Sequence, residues 1–426
     1  MPGDKSISHR ALLFGALSLG TTRVTGLLES EDVINTARVV TALGAPATKT
    51  AAGVWEVEGR GIGGFHEPQA PLDFGNSGTG ARLAMGVVAG QDFTVEMVGD
   101  ASLSRRPMSR VLTPLQKMGL EVVTQDRQSL PLKLRGTTDL VPIEYELPVP
   151  SAQVKSAILI AGLQTSGTTT VIEAEATRDH TERMLRYFGA DIKSALGTDG
   201  KTRISLTGGR QMQGRDVKVP ADPSSAAFLA AAAVLVPGSD ITVEGVLVND
   251  TRTGFFLTLQ EMGADLTYAN PREEGGEPIA DIRVRHSRLK GVRVPAERAP
   301  SMIDEYPILA VVAAFAEGET VMEGLAELKV KESDRLAATA AGLKANGLIA
   351  QIDGDTLTVV GGAGRAPGGG RVETHLDHRI AMSFLVMGLA AEAPVSVDDT
   401  AMIATSFPEF TSLLEGLGAR FAEVSE

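Results

Sequence analysis

The sequence predicts an α/β protein of two domains, each assembled from three copies of one strand-and-helix unit. Three observations predict it. Six alanine-, leucine- and glycine-rich segments, Ala11–Leu19, Ala81–Ala89, Val154–Leu163, Ala226–Leu235, Ile308–Ala316 and Ile380–Ala390, read as buried helices. Their starts lie about 70–80 residues apart, the spacing of one repeated supersecondary unit. Each is followed by a second, more polar helical stretch that ends at a glycine: Gly44, Gly119, Gly189, Gly263, Gly347 and Gly418. Glycine there suits the left-handed residue that stops a helix.

Taken in order, most of the apolar helices lead through a Gly-marked turn into a short β-rich run. Examples are Thr22-Arg23-Val24-Thr25, Thr169-Thr170-Val171-Ile172, Ile241-Thr242-Val243 and Thr320-Val321-Met322. The polar helix comes next, then a strand and usually a hairpin, as in Trp55-Glu56-Val57-Glu58 and Leu132-Lys133-Leu134. The unit is therefore strand, helix, strand, helix, strand, strand. Six units are too many for one compact core. A break near Val219-Pro220 divides them evenly, giving one domain over residues 4–219 and another over 220–426 plus residues 1–3. Copies two to five carry β-like residues ahead of the apolar helix, such as Val217-Lys218-Val219-Pro220 and Val292-Arg293-Val294-Pro295. Copy one has only Met1-Pro2, so its leading strand is expected to be missing.

Composition narrows the function. The chain has 426 residues, 43% hydrophobic and 4% aromatic, with no cysteine and a net charge of −13. That excludes disulfides, thiolate catalysis and Cys-based metal sites, and argues against nucleic-acid or anionic-membrane partners, which need broad positive surfaces. No apolar run approaches the roughly 20 residues needed to cross a bilayer, and no leader is read at the start. A cytoplasmic enzyme is expected. The six histidines show no metal-ligand spacing, and neither a P-loop nor a nucleophile elbow is present.

The chemically loaded residues gather just before the apolar helices. They read Pro2-Gly3-Asp4-Lys5-Ser6-Ile7-Ser8-His9-Arg10, Gly75-Asn76-Ser77-Gly78-Thr79-Gly80, Pro150-Ser151-Ala152-Gln153, Ala221-Asp222-Pro223-Ser224-Ser225, Ser301-Met302-Ile303-Asp304-Glu305 and Leu376-Asp377-His378-Arg379. Helix starts present free N–H groups and the positive end of the dipole, so together they could make an anion site. Asp222 before Pro223 is cap chemistry, and that copy can be purely structural. A second set follows the intermediate strands: Gly99-Asp100 through Arg106-Pro107, Thr177-Arg178-Asp179-His180 and Lys331-Glu332-Ser333-Asp334-Arg335. Arginine forks bind phosphate and carboxylate, and Asp304 and Glu332 supply carboxyl groups for proton transfer.

These motifs, with Arg106-Pro107-Met108, Ser151-Ala152-Gln153-Val154-Lys155-Ser156 and Asp377-His378-Arg379, resemble the 5-enolpyruvylshikimate-3-phosphate synthases over essentially the whole chain. Ser-Ala-Gln and Thr405-Ser406-Phe407-Pro408 are similar to the class II bacterial branch. The resemblance implies an inside-out α/β barrel fold: two domains of three βαβαββ units, with the active site in the cleft between them. It implies transfer of the enolpyruvyl group of phosphoenolpyruvate to the 5-hydroxyl of shikimate 3-phosphate, with release of phosphate and with neither cofactor nor metal. By matching motif, it implies that Lys5, Ser6, Arg10, Ser151, Ala152, Gln153, Arg178, Asp304 and Lys331 hold shikimate 3-phosphate. Lys5, Asn76, Gly78, Arg106, Gln153, Arg335 and Arg379 would hold phosphoenolpyruvate. Asp304 would be the base, Glu332 or Lys5 the acid, and His378 a lesser candidate for proton work. Thr405 stands where the other branch has a lysine, and Gly78 where the most glyphosate-tolerant relatives have alanine, so glyphosate is expected to inhibit. A monomer is expected. The rival readings are enolpyruvyl transfer to UDP-N-acetylglucosamine, whose enzymes typically use a cysteine acid, and a non-catalytic anion-binding scaffold.

Overall fold

The computed structural model describes residues 1–423. It contains twelve α-helices among them: α1 (Lys5–Ala16), α2 (Glu31–Ala42), α3 (Gly78–Ala89), α4 (Ser109–Met118), α5 (Ala152–Gly162), α6 (His180–Tyr187), α7 (Pro223–Leu235), α8 (Gly254–Glu261), α9 (Tyr306–Phe315), α10 (Arg335–Ala345), α11 (His378–Gly388) and α12 (Phe410–Gly416). The odd-numbered helices are the apolar ones, and α7 and α9 are buried along their entire length. The even-numbered helices follow them. Residues Gly44, Gly119, Gly189, Gly263, Gly347 and Gly418, which end the even-numbered six, all have φ between 78° and 123°. Side chains other than glycine rarely adopt that region, so each glycine stops its helix where the sequence places it.

The chain forms two compact units. The first comprises residues 3–220 with 273–277; the second comprises residues 1–2, 221–272 and 278–426. In the first unit α1, α3 and α5 pack together as the core, and Phe14, Leu83 and Ile158 are fully excluded from water. Helices α3 and α5 touch backbone to backbone. A Cβ added at Gly86 would collide with the carbonyl of Ala157, so glycine is required at that crossing. In the second unit α7, α9 and α11 form the equivalent core. Within each unit the apolar helices are inside, and the small sheets and the even-numbered helices carry exposed faces.

The sheets repeat one pattern. In copies two, three and five the strand after the apolar helix pairs antiparallel with a later strand and parallel with a short leading one. Thus Thr94–Val98 pairs with Leu132–Arg135 and with Leu72–Asp73. Thr168–Glu173 pairs with Thr202–Thr207 and with Glu144–Glu146. Glu317–Met322 pairs with Thr356–Gly362 and with Arg293–Val294.

Two expectations need correction. The sheet of copy one does not lack a parallel partner. Val217–Lys218 pairs with Val24–Thr25 of strand Ser18–Thr25, and Met212–Gln213 pairs with its start. The run 217–220, read as the leading strand of copy four, therefore serves copy one. In copy four only a single bridge, Ala221 with Val246, occupies the parallel place. The amide of Asp222 donates to the carbonyl of Pro2, and the amide of Asp4 to that of Pro220, so the start of the chain runs beside the segment that leads into α7. The sixth copy is also abbreviated. Its sheet has two strands, Arg371–Val372 and Ser396–Val397, with no hairpin after α12 among the described residues.

Candidate functional site

Most of the loaded residues form the first turns of the apolar helices, because a polar residue just ahead caps them; α9 is the exception, with no side-chain cap and with Asp304 in a 3-10 turn ahead of it. Asp4 accepts from the Ile7 amide at 2.8 Å, Ser77 from Gly80 at 3.1 Å, Ser151 from Val154 at 3.4 Å, and Asp377 from Arg379 at 2.9 Å. Capping satisfies one of the exposed N–H groups of each helix and fixes where the turn begins. Lys5, Ser6 and Arg10 on α1, Gly78 on α3, Ala152 and Gln153 on α5, and His378 and Arg379 on α11 are thereby placed on rigid backbone.

Two clusters emerge in the first unit. In one, Arg106 donates to Asn76 Oδ1 at 2.7 Å and Asn76 Nδ2 donates to Asp100 at 2.7 Å. Gln153 donates to Thr79 at 2.9 Å and accepts from Arg82 at 2.8 Å. An added Cβ on Gly78 would lie 3.1 Å from both the Arg82 and the Arg106 guanidinium groups. Arg82 is a residue that reading the sequence missed. It lies one helical turn beyond Gly78, so i,i+4 spacing was the available signal. Burial, followed by the charges of Arg106 and Arg110, lowers its pKa to about 10. Among the described residues neither Arg82 nor Arg106 has a carboxylate ion-pair partner, which leaves two concentrated positive charges beside a position with no side chain.

The other cluster surrounds α1. Lys5 pairs with Asp32 of α2. Arg10 is almost wholly buried, and its guanidinium donates to Thr181 Oγ1 at 2.8 Å, Ser156 Oγ at 2.9 Å and the Ser6 carbonyl at 2.9 Å. Two of these bonds tie α1 to α5 and α6, and the third returns to α1 itself. Beneath them Lys155, fully buried, is paired with Glu173 at 3.0 Å and Glu182 at 2.7 Å. Arg178 lies partly exposed in the loop before α6.

The second unit holds Asp304, Lys331, Glu332, Arg335, His378 and Arg379. Arg335 is the hub, 1% exposed: it donates to Asp377 at 2.8 Å, Asp304 at 3.1 Å and Glu332 at 2.5 Å. Burial alone would lower its pKa; the carboxylates of Glu332, Asp377 and Asp304 outweigh that and raise it. Asp377 is pushed in the opposite sense: burial raises its pKa, but Arg335 and then His378 lower it further, so it is held ionised. Lys331 Nζ lies 3.4 Å from Asp304. Arg379 donates to the Asp304 carbonyl at 3.2 Å and to the buried carboxylate of Glu305 at 3.3 Å. Burial, then Arg379 and Arg335, lowers the His378 pKa to about 3, so its ring is neutral at pH 7. The sequence reading named neither Asp377 nor Glu305 among the site residues; both were legible only as caps.

Asp222 and Arg252 form the fourth copy's counterpart. Asp222 caps α7 at Ser224 and pairs with buried Arg252 at 3.2 Å. Its charge is answered by the chain itself, as the cap chemistry of Asp222-Pro223 suggested.

The model of the EPSP synthase (3-phosphoshikimate 1-carboxyvinyltransferase) family matches residues 1–414. A 3-phosphoshikimate 1-carboxyvinyltransferase from Methylorubrum populi is 62% identical, across 99% of this chain and 94% of its own. One from Parvibaculum lavamentivorans is 60% identical, across 99% and 93%. Among solved structures, an EPSP synthase from Acinetobacter baumannii superposes with a TM-score of 0.88 at 46% identity, covering 97% of this chain and 94% of that one. No helix is long and apolar enough to cross a membrane among the described residues.

Proposed function

The chain belongs to the EPSP synthase (3-phosphoshikimate 1-carboxyvinyltransferase) family, and from that premise we propose how its side chains carry out the transfer of enolpyruvyl from phosphoenolpyruvate to shikimate 3-phosphate. The observation that carries the assignment of roles is the pair of arginines without carboxylate partners, Arg82 and Arg106, beside Gly78 and Gln153. Phosphoenolpyruvate brings a phosphate and a carboxylate together, and fixed guanidinium groups in a partly buried setting answer that charge. Lys5, Asn76, Gly78, Arg106, Gln153, Arg335 and Arg379 hold it. Shikimate 3-phosphate is held by Lys5, Ser6, Arg10, Ser151, Ala152, Gln153, Arg178, Asp304 and Lys331.

The reaction is addition followed by elimination. Asp304 takes the proton of the 5-hydroxyl as its oxygen attacks C2 of phosphoenolpyruvate, and Glu332 or Lys5 delivers a proton to C3, which becomes a methyl group. The tetrahedral adduct then loses phosphate as a proton leaves that methyl, restoring the double bond in the product. The cations lower the barrier because the phosphate departs carrying negative charge. Glyphosate competes for the phosphoenolpyruvate place, where the missing side chain of Gly78 leaves it room. The protein works as a cytoplasmic monomer.

Phosphate release tests the reading directly. The protein is expected to liberate phosphate from phosphoenolpyruvate with shikimate 3-phosphate and not with UDP-N-acetylglucosamine. Release with the UDP-sugar alone, or with neither acceptor, would overturn it.

A further inference from the structure

The hairpin formed by strands Asp265–Glu274 and Glu277–Arg285 has a Gly275-Gly276 turn with φ of 61° and 84°. Its strands run in the second unit, yet its tip, residues 273–277, belongs to the first. The tip seats a charged side chain in the interior there. Glu277 is 1% exposed and accepts from Nδ1 of His180, itself fully buried, at 2.8 Å. A carboxylate can only accept, so Nδ1 carries the hydrogen and the ring orientation is fixed. The second carboxylate oxygen lies 3.9 Å from Arg183, which also holds Asp179 at 2.7 Å. A Cβ on Gly276 would lie 3.2 Å from the Arg183 carbonyl and 3.3 Å from the Tyr187 side chain, so the turn is packed directly on α6.

His180 is the first residue of α6, and the residues around it are the ones assigned to shikimate 3-phosphate. Arg178 sits two positions before it. Thr181, the next residue, accepts from Arg10 at 2.8 Å and bonds Ser156 on α5 at 2.7 Å. Glu182 follows and pairs with Lys155. The Glu277 charge also acts on Arg10, whose burial it helps to offset together with Glu182 and Asp4.

We infer that Glu277 is a positioning residue for shikimate 3-phosphate: by holding His180 it sets the first turn of α6, from which Arg178 and, through Thr181, Arg10 are aimed. This rests on the binding roles proposed above, and it goes beyond them in assigning a residue that touches no substrate and lies far along the chain from both arginines. A buried hydrogen bond to a charged group is worth enough to orient a side chain, and losing it removes the acceptor that fixes Nδ1 of His180.

The test is steady-state kinetics on Glu277→Ala and Glu277→Gln, with Glu274→Gln as a control at the same tip, where Glu274 pairs with the exposed Lys218. Glu277→Ala is expected to raise the KM for shikimate 3-phosphate roughly tenfold while the KM for phosphoenolpyruvate stays within about twofold. Glu277→Gln keeps an acceptor for His180 and loses the charge, so it should show a smaller rise, roughly threefold, in the KM for shikimate 3-phosphate alone, and that selective rise carries the test if the alanine variant fails to fold. Glu274→Gln should match the wild type. An unchanged KM for shikimate 3-phosphate with only a lower melting temperature would overturn the inference, as would equal rises in both KM values. A wild type inactive with shikimate 3-phosphate would instead overturn the reading on which it rests.

Discussion

Replacing Arg335 by Met isolates the charge at the hub of the second unit, because the methionine stem fills much of the same volume while removing the cation. Three carboxylates then lose their shared partner. The Asp377 side chain is fully buried, that of Asp304 is 16% exposed and that of Glu332 is 34% exposed. The Glu332 pair, partly in water, is worth at most about 1 kcal/mol. The Asp377 pair is the costly one, since leaving a buried charge without its partner costs about 3–5 kcal/mol. A loss near 4 kcal/mol at pH 7.5 is expected, read from the shift of the urea midpoint followed by far-UV circular dichroism. The pH dependence checks the cause. In the wild type Asp377 has a depressed pKa, so its stabilisation is present above the unfolded carboxylate range and fades only as pH falls below about 4. Without Arg335, burial raises the pKa of Asp377 above its unfolded value, and the folded variant takes up a proton that the unfolded chain does not. The deficit should therefore narrow on acidification from pH 7.5 to 5, by about 1.4 kcal/mol per pH unit once below the raised value. A deficit under about 1 kcal/mol, or one that does not change with pH, would refute this reasoning.

Three other outcomes follow from the same geometry. Asp304→Asn should lower kcat by roughly a hundredfold or more with modest change in either KM, the mark of a lost proton acceptor, measured by phosphate release. Gly78→Ala places a methyl 3.1 Å from two guanidinium groups; it should weaken glyphosate inhibition and raise the KM for phosphoenolpyruvate several-fold, and unchanged values for both would show that the space beside Gly78 is not used. His9 is fully buried, and burial, then Lys5 and Arg10, lowers its pKa to about 3. A depressed imidazole pKa means the unfolded chain binds protons that the folded one refuses, so stability is lost as pH falls from about 6.5 toward 3; His9→Gln, which cannot titrate, should flatten that limb of the unfolding curve.

What the sequence made legible is what local chemistry decides. Six glycines stop six helices because only a residue without Cβ sits easily at positive φ, and that requirement can be read one position at a time. The N-terminal turns were legible for the same reason: Asp4, Ser77, Ser151 and Asp377 are cap residues, and the charges that follow them must lie on the first turn. The parallel partner of copy one was not legible. A two-residue strand such as Val217–Lys218 carries no register of its own, and its partner, Val24–Thr25, lies nearly two hundred residues away. Arg82 was hidden by its neighbours, an apolar helix in which a single arginine reads as an outward-facing residue until Gln153 on α5 is brought against it.

The repeat also shows how one scaffold pairs an arginine with a carboxylate in one copy and with neutral groups in another. In copy four the cap is an aspartate, and the arginine delivered by the following loop, Arg252, closes on it at 3.2 Å. In copy two the cap is the neutral Ser77, and among the described residues the Arg106 side chain finds the amide oxygen of Asn76 and the hydroxyl of Ser102. The backbone plan is the same, but in one case the positive charge is neutralised by the chain and in the other it meets neutral partners among the described residues. Neutral partners fix the direction of a guanidinium without neutralising it, which is what an anion site requires. The second unit uses the opposite device: Asp377 both caps α11 and anchors Arg335, so that cation is rigid and already surrounded by three carboxylates. A ligand anion arriving beside Arg335 meets charge that is already answered and would have to compete with Glu332, the most exposed of the three.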